Sequence, residues 1–194
     1  MATGKSYALA QFRALGFPIA DADQLAHSAM APKGPAWQPI RDHFGIEMFD
    51  KHGTVDRQKL GMLVFGNDSA RLTLNNIVHP HVRASIEEWF TDIEGLPNHK
   101  FGVVAIPLYY ESSRPGKFDR IIVTACQAGR QLARVKARGL TTLQAKRRIE
   151  TQMPTAQKVL LADYTIWTDG LPTDTNRRVR VISDELVDLA ETST

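Results

Sequence analysis

The arrangement of short apolar runs along the chain is the feature that most restricts its fold. Four runs have the length of strands, and their apolar residues are consecutive instead of alternating with polar ones. Runs of this kind are typical of parallel strands that are covered on both faces. The predicted strands are Phe17–Ala20, Phe101–Ile106, Ile121–Ala125 and, with a weaker pattern, Tyr164–Trp167.

Helical patterns fill the intervals, with apolar residues three and four positions apart. Strands separated by helices predict an α/β fold with a mainly parallel sheet. Residues 31–95 carry only helical patterns and the Pro/Gly-rich loop Pro32–Pro39, so we expect a helical insertion there. The predicted helices are Lys5–Leu15, Asp56–Phe65, Asp68–Val78, His81–Ile93, Gly129–Arg138, Leu143–Gln152, Thr155–Ala162 and Thr173–Leu189.

Size, charge and cysteine content narrow the class of protein. A chain of 194 residues with 43% hydrophobic residues can build one domain with a real core. A net charge of +3 is too small to indicate nucleic-acid binding. The one cysteine, Cys126, lies in an apolar run, so we expect a buried, inert thiol. Without a membrane-span pattern or a signal-peptide core, the sequence predicts a cytoplasmic protein.

The first residues carry a possible phosphate-binding motif. Gly4, Lys5 and Ser6 match the last three positions of a P-loop and open a predicted helix. In that motif the lysine reaches the terminal phosphates, the hydroxyl binds Mg²⁺, and the helix start attracts the anion. Gly-Lys-Ser is common by chance, however, and taken alone it favours a solvated N-terminal lysine.

Two carboxylates come directly after a predicted strand near the start of the chain. Asp21 and Asp23 come directly after the strand Phe17–Ala20, at the edge where ligands bind in open α/β sheets. Carboxylates there can hold Mg²⁺ or accept the proton of an attacking hydroxyl. Asp21 is equally suited to cap the next helix, and the two roles are compatible. We assign Asp23 as the general base and Asp21 as a supporting residue and metal ligand.

An ordered set of motifs resembles dephospho-CoA kinase along nearly the whole chain. The ordered set is more specific than any single motif, because several motifs in this order and at these separations are hard to meet by chance. After Gly-Lys-Ser come Gly-Phe-Pro-Ile-Ala-Asp-Ala-Asp (16–23), Ile-Val-His-Pro (77–80), Pro-Leu-Tyr-Tyr-Glu (107–111), Gln-Leu-Ala-Arg (131–134) and Ala-Asp-Tyr-Thr-Ile (162–166).

The resemblance implies a P-loop NTPase fold with three α/β/α layers. It also implies an enzyme that transfers the γ-phosphate of ATP to the 3′-hydroxyl of dephospho-CoA. It implies ATP and Mg²⁺, the last step of coenzyme A synthesis, and Asp23 as the proposed base. It also implies a core (1–30 and 96–194), a CoA-binding helical insertion (31–95) and a lid (about 136–156). The resemblance leaves the oligomeric state open.

The chain departs from the family pattern in two places. The family has a strand and a glycine-rich turn before Gly-Lys-Ser, which would lie upstream of Met1. A mis-assigned start codon or a shortened chain would explain this; if the protein truly begins at Met1, we expect poor ATP binding and low stability. Thr168 stands where an asparagine is common, so contacts to the base, and the preference for ATP, are expected to differ.

Basic residues near the predicted lid are candidates for binding phosphate. Arg134 and Arg138 are four positions apart and share a helix face. The planar guanidinium binds phosphate oxygens in pairs, which suits phosphoryl transfer. A solvated basic face is the alternative. We predict that both bind ATP, that Arg134 also assists catalysis with Lys5, and that Gly139 is a hinge into the lid.

Further candidates concern the acceptor substrate. His79, before Pro80, is predicted to shape the dephospho-CoA pocket at a junction of two helices, with proline at the first helical position. Arg83, one turn later, is predicted to reach a CoA phosphate, although a surface arginine is about as plausible. Glu111 is predicted to orient the acceptor or the insertion, with a structural salt bridge as the alternative. The histidines show no metal-ligand spacing.

Two other functions remain open from the sequence. A nucleoside or nucleotide kinase would share the Gly-Lys-Ser motif, the arginines and the aspartates, but it does not predict an insertion that contains His-Pro. A non-catalytic remnant that still binds CoA-like ligands would fit the incomplete phosphate-binding turn. We expect dephospho-CoA and ATP as partners, and neither nucleic acid nor a membrane.

Overall fold

The computed structural model describes residues 1–94, 96, 100–112 and 118–192, and the predicted end of the insertion at Gly95 lies outside them. The described residues form helices and four short strands, and each strand lies within one of the predicted apolar runs or overlaps it. In chain order these are α1 (Lys5–Ala14), β1 (Ile19–Asp21), α2 (Ala22–Met30), α3 (Trp37–Phe44), α4 (Arg57–Phe65), α5 (Asp68–Glu94), β2 (Val103–Ala105), β3 (Ile122–Ala125), α6 (Ala128–Lys136), α7 (Thr142–Glu150), α8 (Thr155–Leu160), β4 (Tyr164–Trp167) and α9 (Pro172–Thr192).

The strands confirm the predicted parallel pairing. β3 and β4 are parallel and in register from Ile122–Tyr164 to Ala125–Trp167. β1 and β2 form the other sheet, where the amide of Val103 donates to the carbonyl of Pro18 at 3.0 Å. Within the described residues the strands thus form two two-stranded sheets instead of one continuous sheet. An α/β fold with parallel strands is confirmed.

The chain divides into two compact units. The first comprises Met1–Ile19 and Leu96–Thr194, and the second comprises Ala20–Gly95. The core of the first unit is formed where α1, β4 and α9 pack together, and burial of these apolar side chains stabilises the unit. Its buried members are Ala8, Phe12, Ile166, Val179 and Ile182.

The second unit has a larger apolar core of its own. Helices α2, α3, α4 and α5 surround it, together with the segment that joins α3 to α4. Trp37 extends this core with an edge-to-face contact to Phe49 and donates from its indole nitrogen to the carbonyl of Gly53 at 2.6 Å. The buried residues of this second core are Ala29, Ala36, Ile40, Phe44, Phe49, Val55, Leu60 and Val78.

The predicted helix junction at Pro80 is wrong. α5 continues from Asp68 to Glu94 with Pro80 inside it. A proline in a helix removes one backbone hydrogen bond and crowds the preceding turn. Val78, Ile86 and Ile93 are nevertheless all buried, at spacings of eight and seven residues, close to whole helical turns. One continuous helix keeps these side chains on the same face, and their burial outweighs the local penalty.

Two further details of the insertion differ from the prediction. α3 begins at Trp37, inside the predicted loop Pro32–Pro39, because a proline in the first helical turn has no hydrogen-bond partner to lose. The region is also not wholly helical, since Phe49 and Val55 form an antiparallel bridge. Asp50 closes this turn by accepting from the amides of His52 and Thr54, and these two bonds lower the pKa of its carboxyl.

Candidate active site

The glycine turn before α1 is the local feature that defines the candidate phosphate site. Gly4 is the N-cap of α1, with a left-handed φ of 99°. A Cβ atom built at this position would lie 2.7 Å from Cγ2 of Thr168, which is closer than carbon atoms pack. Both the backbone conformation and the available space therefore require glycine here.

The start of α1 is suited to an anion. Gly4 has no side chain that could cap the helix, and the first turn contains no acidic residue. The N–H groups of an uncapped first turn, with the helix dipole, attract negative charge. Lys5 is half-buried and Ser6 is exposed in the same turn. The three residues predicted to bind phosphate, Gly4, Lys5 and Ser6, thus lie in one short segment with the expected backbone geometry.

Thr168 links this turn to the end of β4. It is only 6% exposed and follows the last residue of the strand, and its amide donates to the carbonyl of Ala125 at 2.8 Å. Its hydroxyl lies 2.9 Å from the carbonyl of Thr3 and 3.2 Å from that of Ala125. The sequence marked Thr168 only as a departure from the family; its position directly after a parallel strand is the signal that could have identified it.

Arg134 is the second link to the turn. One terminal nitrogen donates to the hydroxyl of Thr168 at 2.8 Å and to the carbonyl of Ala2 at 3.4 Å, and the other donates to the carbonyl of Thr168 at 2.7 Å. A guanidinium has about five N–H donors, so these contacts leave donors for a phosphate. The predicted ATP role of Arg134 therefore stays a prediction beside a structural role that the sequence did not suggest.

Two more side chains secure the residues before Gly4. The hydroxyls of Thr3 and Thr124 lie 2.9 Å apart and share a hydrogen bond, which connects the turn to β3. Gln131, buried on α6, donates from its side-chain amide to the carbonyl of Met1 at 2.8 Å. Buried polar groups need partners, so these bonds fix the turn at little energetic penalty. Neither Thr3 nor Gln131 was predicted as a site residue.

Arg138 lies beyond the end of α6, where its side chain is exposed. Gly139 follows with a φ of 87°, which glycine adopts without strain. α7 then begins with a capping box, in which Thr141 accepts from the amide of Gln144 and the side chain of Gln144 accepts from the amide of Thr141. The glycine turn is consistent with the predicted hinge, and the phosphate role of Arg138 stays a prediction.

Glu111 makes a largely, but not fully, buried ion pair with Lys158. The oxygen Oε1 accepts from Nζ of Lys158 at 2.6 Å and from the amide of Met153 at 2.9 Å. These side chains are only 19% and 14% exposed, so the pair is poorly screened by water. The salt bridge offered as the alternative for Glu111 is therefore present. Its oxygen Oε2 is buried and, among the described residues, has no hydrogen-bond partner.

The predicted carboxylates belong to the second unit. Asp21 is the N-cap of α2, and its side chain accepts from the amide of Asp23 at 2.9 Å. The capping role predicted for Asp21 is thus confirmed. Asp23 lies in the first turn of α2 with an exposed side chain. Both acids are favourably placed at a helix start, where negative charge is stabilised.

His79 and Arg83 lie one turn apart on α5. His79 is exposed, but enough protein surrounds the ring that desolvation lowers its pKa, and the positive charge of Arg83 lowers the pKa further. The charge of Arg83 therefore acts on the ring of His79, and the predicted roles of both residues toward dephospho-CoA stay predictions.

The remaining chemistry is limited in the described part of the chain. Cys126 is buried, and burial raises the pKa of its thiol, as expected for an inert cysteine. No group of three or more histidine, cysteine or acidic side chains that could hold a metal occurs among the described residues. In the same residues we find no helix with the length and apolar content needed to cross a membrane.

Known proteins resemble this chain over almost its entire length. The model of the family described as CoaE, dephospho-CoA kinase, matches residues 1–173. A dephospho-CoA kinase of Bacillus cereus is 38% identical over 94% of this chain and 91% of its own length. A dephospho-CoA kinase domain-containing protein of Danio rerio is 32% identical over 97% and 82%, respectively.

Solved structures agree with the sequence comparisons. TT1252 from Thermus thermophilus superposes with a TM-score of 0.80 at 28% identity and covers 96% of this chain and 93% of its own. The dephospho-CoA kinase of Campylobacter jejuni gives 0.69 at 28% identity, with 97% and 94% covered. Sequence and fold together show that this chain belongs to the dephospho-CoA kinase family, whose members are transferases that use ATP in the last step of coenzyme A synthesis.

Proposed function

We propose that this chain transfers the γ-phosphate of ATP to the 3′-hydroxyl of dephospho-CoA and that the start of α1 binds the ATP phosphates. The observation that carries the proposal is the glycine turn, in which Gly4 has the required left-handed backbone and Lys5 and Ser6 follow in an uncapped first turn. Lys5 would neutralise charge on the terminal phosphates during transfer.

We propose Arg134 and Arg138 as further phosphate ligands. Arg134 has more N–H donors than it uses for Thr168 and Ala2, which leaves donors for a phosphate. Arg138 is exposed and follows the same helix. Positive charge at this position stabilises the oxygens of the transferred phosphoryl group.

Asp23 is proposed as the general base for the acceptor hydroxyl. Its exposed carboxylate can take the hydroxyl proton as the oxygen attacks phosphorus, and Asp21 holds the amide of Asp23 through the helix cap. His79, Arg83 and Glu111 are proposed to contact dephospho-CoA. For Glu111, the proposal depends on the buried oxygen Oε2, because Oε1 is occupied by Lys158 and Met153.

Magnesium fits the donor types that the chain offers. Mg²⁺ is usually bound by one or two protein oxygens together with substrate phosphates and water, so a cluster of three acids is not required. The hydroxyl of Ser6 and the carboxylate of Asp21 are the proposed ligands. When bound, the ion would neutralise phosphate charge.

The proposed architecture is a core (1–30 and 96–194), a helical CoA-binding insertion (31–95) and a lid (about 136–156). A cytoplasmic location, and the absence of nucleic-acid and membrane partners, also remain proposals.

A substrate screen tests the reaction. ADP release should occur with dephospho-CoA and not with nucleoside monophosphates. The opposite preference would favour a nucleotide kinase, and binding of dephospho-CoA without any ATP turnover would favour a non-catalytic remnant.

Variants test the assigned residues. Asp23→Asn should lower kcat by about 10²–10⁴-fold with little change in stability. Lys5→Met should lower kcat/KM by roughly 10²–10³-fold. Asp184→Asn and Lys100→Met, at exposed positions outside the proposed insertion and lid, are matched controls and should behave as the unsubstituted chain does. Equal activity of Asp23→Asn and its control would contradict the role of the base.

A further inference from the structure

We propose that Thr168 is the positioning residue of the phosphate-binding turn: its hydroxyl holds the carbonyl of Thr3 and its methyl group fixes Gly4. The inference depends on the proposed ATP site and explains how that site is kept in place. Thr168 does not touch ATP in this proposal. It acts through the backbone at the start of α1.

Thr168 can position another segment because it is itself held from three directions. Its amide donates to the carbonyl of Ala125 on the neighbouring strand β3 at 2.8 Å. Its own carbonyl accepts from Arg134 at 2.7 Å. Its side chain is buried, with only 6% of the residue exposed. A side chain fixed in this way can hold a neighbouring backbone segment in a defined position.

The hydroxyl proton of Thr168 is directed toward the turn. Arg134 donates to the hydroxyl oxygen at 2.8 Å, so that oxygen acts as an acceptor there and its own proton must go to a carbonyl. The carbonyl of Ala125 is 3.2 Å away and already accepts the amide of Thr168. The carbonyl of Thr3 is closer, at 2.9 Å, and is the better acceptor.

The methyl group of Thr168 acts on the next residue. Its carbon lies 2.7 Å from the position that a Cβ on Gly4 would occupy, so the methyl packs directly against the glycine backbone. The hydroxyl bond and the methyl contact therefore act on consecutive residues, Thr3 and Gly4. Together they fix where α1 begins and where Lys5 and Ser6 point.

The expected consequence is a selective loss of ATP affinity when the hydroxyl is removed. Thr168→Val keeps the shape of the side chain but cannot bond to Thr3 or accept from Arg134. We expect the Kd and the KM for ATP to rise by about three- to tenfold, the usual range for one or two lost hydrogen bonds. The Kd for dephospho-CoA should stay unchanged, because no part of the argument involves that ligand.

Thr165→Val is the matched control. Thr165 lies three positions earlier, within β4, and the hydrogen bond recorded for it is at its backbone carbonyl, which accepts from Arg178 at 3.3 Å, and not at its hydroxyl. The same chemical change at this position should leave ATP affinity as it is. Calorimetric titration with ATP and with dephospho-CoA, together with the melting temperature, measures the three quantities.

A second pair of variants protects the test against misfolding. Thr168→Ser and Thr168→Ala both remove the methyl group and differ only in the hydroxyl. The serine variant should bind ATP about three- to tenfold more tightly than the alanine variant. The proposal would be overturned if Thr168→Val bound ATP as tightly as Thr165→Val does and Thr168→Ser bound it as tightly as Thr168→Ala does. It would also be overturned by an equal loss of affinity for ATP and for dephospho-CoA that follows the melting temperature.

The outcomes separate this inference from the proposed reaction. ATP binding that depends on the Thr168 hydroxyl, without phosphate transfer to dephospho-CoA, would support the inference and overturn the reaction. Phosphate transfer to dephospho-CoA with the same KM and Kd for ATP in Thr168→Val as in the unsubstituted chain would do the reverse. Failure of the unsubstituted chain to bind ATP would overturn both.

Discussion

The two units of the chain differ in the polar and apolar contacts that each one makes internally. In the first unit, polar bonds join residues far apart in sequence: Thr168 and Thr3 are 165 positions apart, and Thr3 and Thr124 are 121 apart. In the second unit, a single apolar cluster is supplied by neighbouring helices, and most polar bonds are local, such as those that Asp56 makes to Gln58 and Lys59.

This difference has a functional meaning. Hydrogen bonds are directional, so the long-range bonds of the first unit fix the backbone at one place, the glycine turn. Apolar burial is non-directional and gives the second unit stability without fixing any one backbone group. Substitutions at the first-unit residues that hold the glycine turn through these long-range bonds are therefore expected to change ATP binding, whereas core substitutions in the second unit should change stability alone.

Ile40→Ala should give the largest effect and is the strongest test of this comparison. Ile40 is 0% exposed in the core of the second unit, and its truncation leaves a cavity. We expect a loss of about 2–5 kcal/mol in the free energy of unfolding, measured with denaturant, and unchanged ATP affinity. Ile46→Ala, at a residue that is 59% exposed, should change stability by less than about 0.5 kcal/mol. Loss of ATP affinity in folded Ile40→Ala would break the comparison.

Glu111→Gln tests the polar contacts of the first unit. The substitution removes the charge that pairs with Lys158 in a poorly hydrated site. We expect a loss of about 1–3 kcal/mol in thermal or denaturant unfolding. Glu191→Gln is the control, because its pair with Lys100 is 55% and 53% exposed and should contribute roughly 0–1 kcal/mol. Equal losses at both positions would show that burial does not strengthen the Glu111 pair.

Helix caps should behave alike in both units, because a cap depends only on its own helix. Thr141 caps α7 in the first unit, and Asp56 caps α4 in the second. Thr141→Ala and Asp56→Ala should each reduce the free energy of unfolding by about 1 kcal/mol. Thr141→Ser and Asp56→Asn keep an acceptor and should retain most of this stability. A large difference between the alanine variants would mean that tertiary contacts add to one of the caps.

The smallest expected effect is a pH dependence in the second unit. Because the folded chain lowers the pKa of His79, the unfolded chain takes up the proton first as the pH falls. Stability should therefore decrease as the pH falls from the ordinary histidine pKa toward the lower folded value, and it should be unaffected above this window. His79→Gln should lack this decrease. Melting temperatures between about pH 5 and pH 8 would reveal it, and identical profiles would contradict the assignment.

Much of the fold followed from the sequence because the signals were local. The strand Tyr164–Trp167 was predicted with its observed bounds, and α1, α4 and α6 were predicted to within two residues at each end. Consecutive apolar runs and helical spacing depend on neighbouring residues alone, so they can be recognised without the fold. The prediction failed at Pro80, where contacts made by residues on both sides of the proline decide the outcome.

The candidate site was predictable only in part. Gly4, Lys5 and Ser6 form a contiguous motif, and the capping role of Asp21 depends on a residue two positions away. Lys158 as the partner of Glu111 is 47 positions distant, and no local pattern points to it. The sequence identified residues that could do the chemistry, and it could not identify the residues that hold them.

The sequence by itself determined the α/β class, the parallel strand pairing and the family, because each depends on local patterns or on the order of short motifs. Only the tertiary structure decided that Thr168 and Arg134 meet the backbone of Ala2 and Thr3. The physical reason is that a hydrogen bond depends on distance and direction in space, which residues so distant along the chain acquire only when the chain is folded.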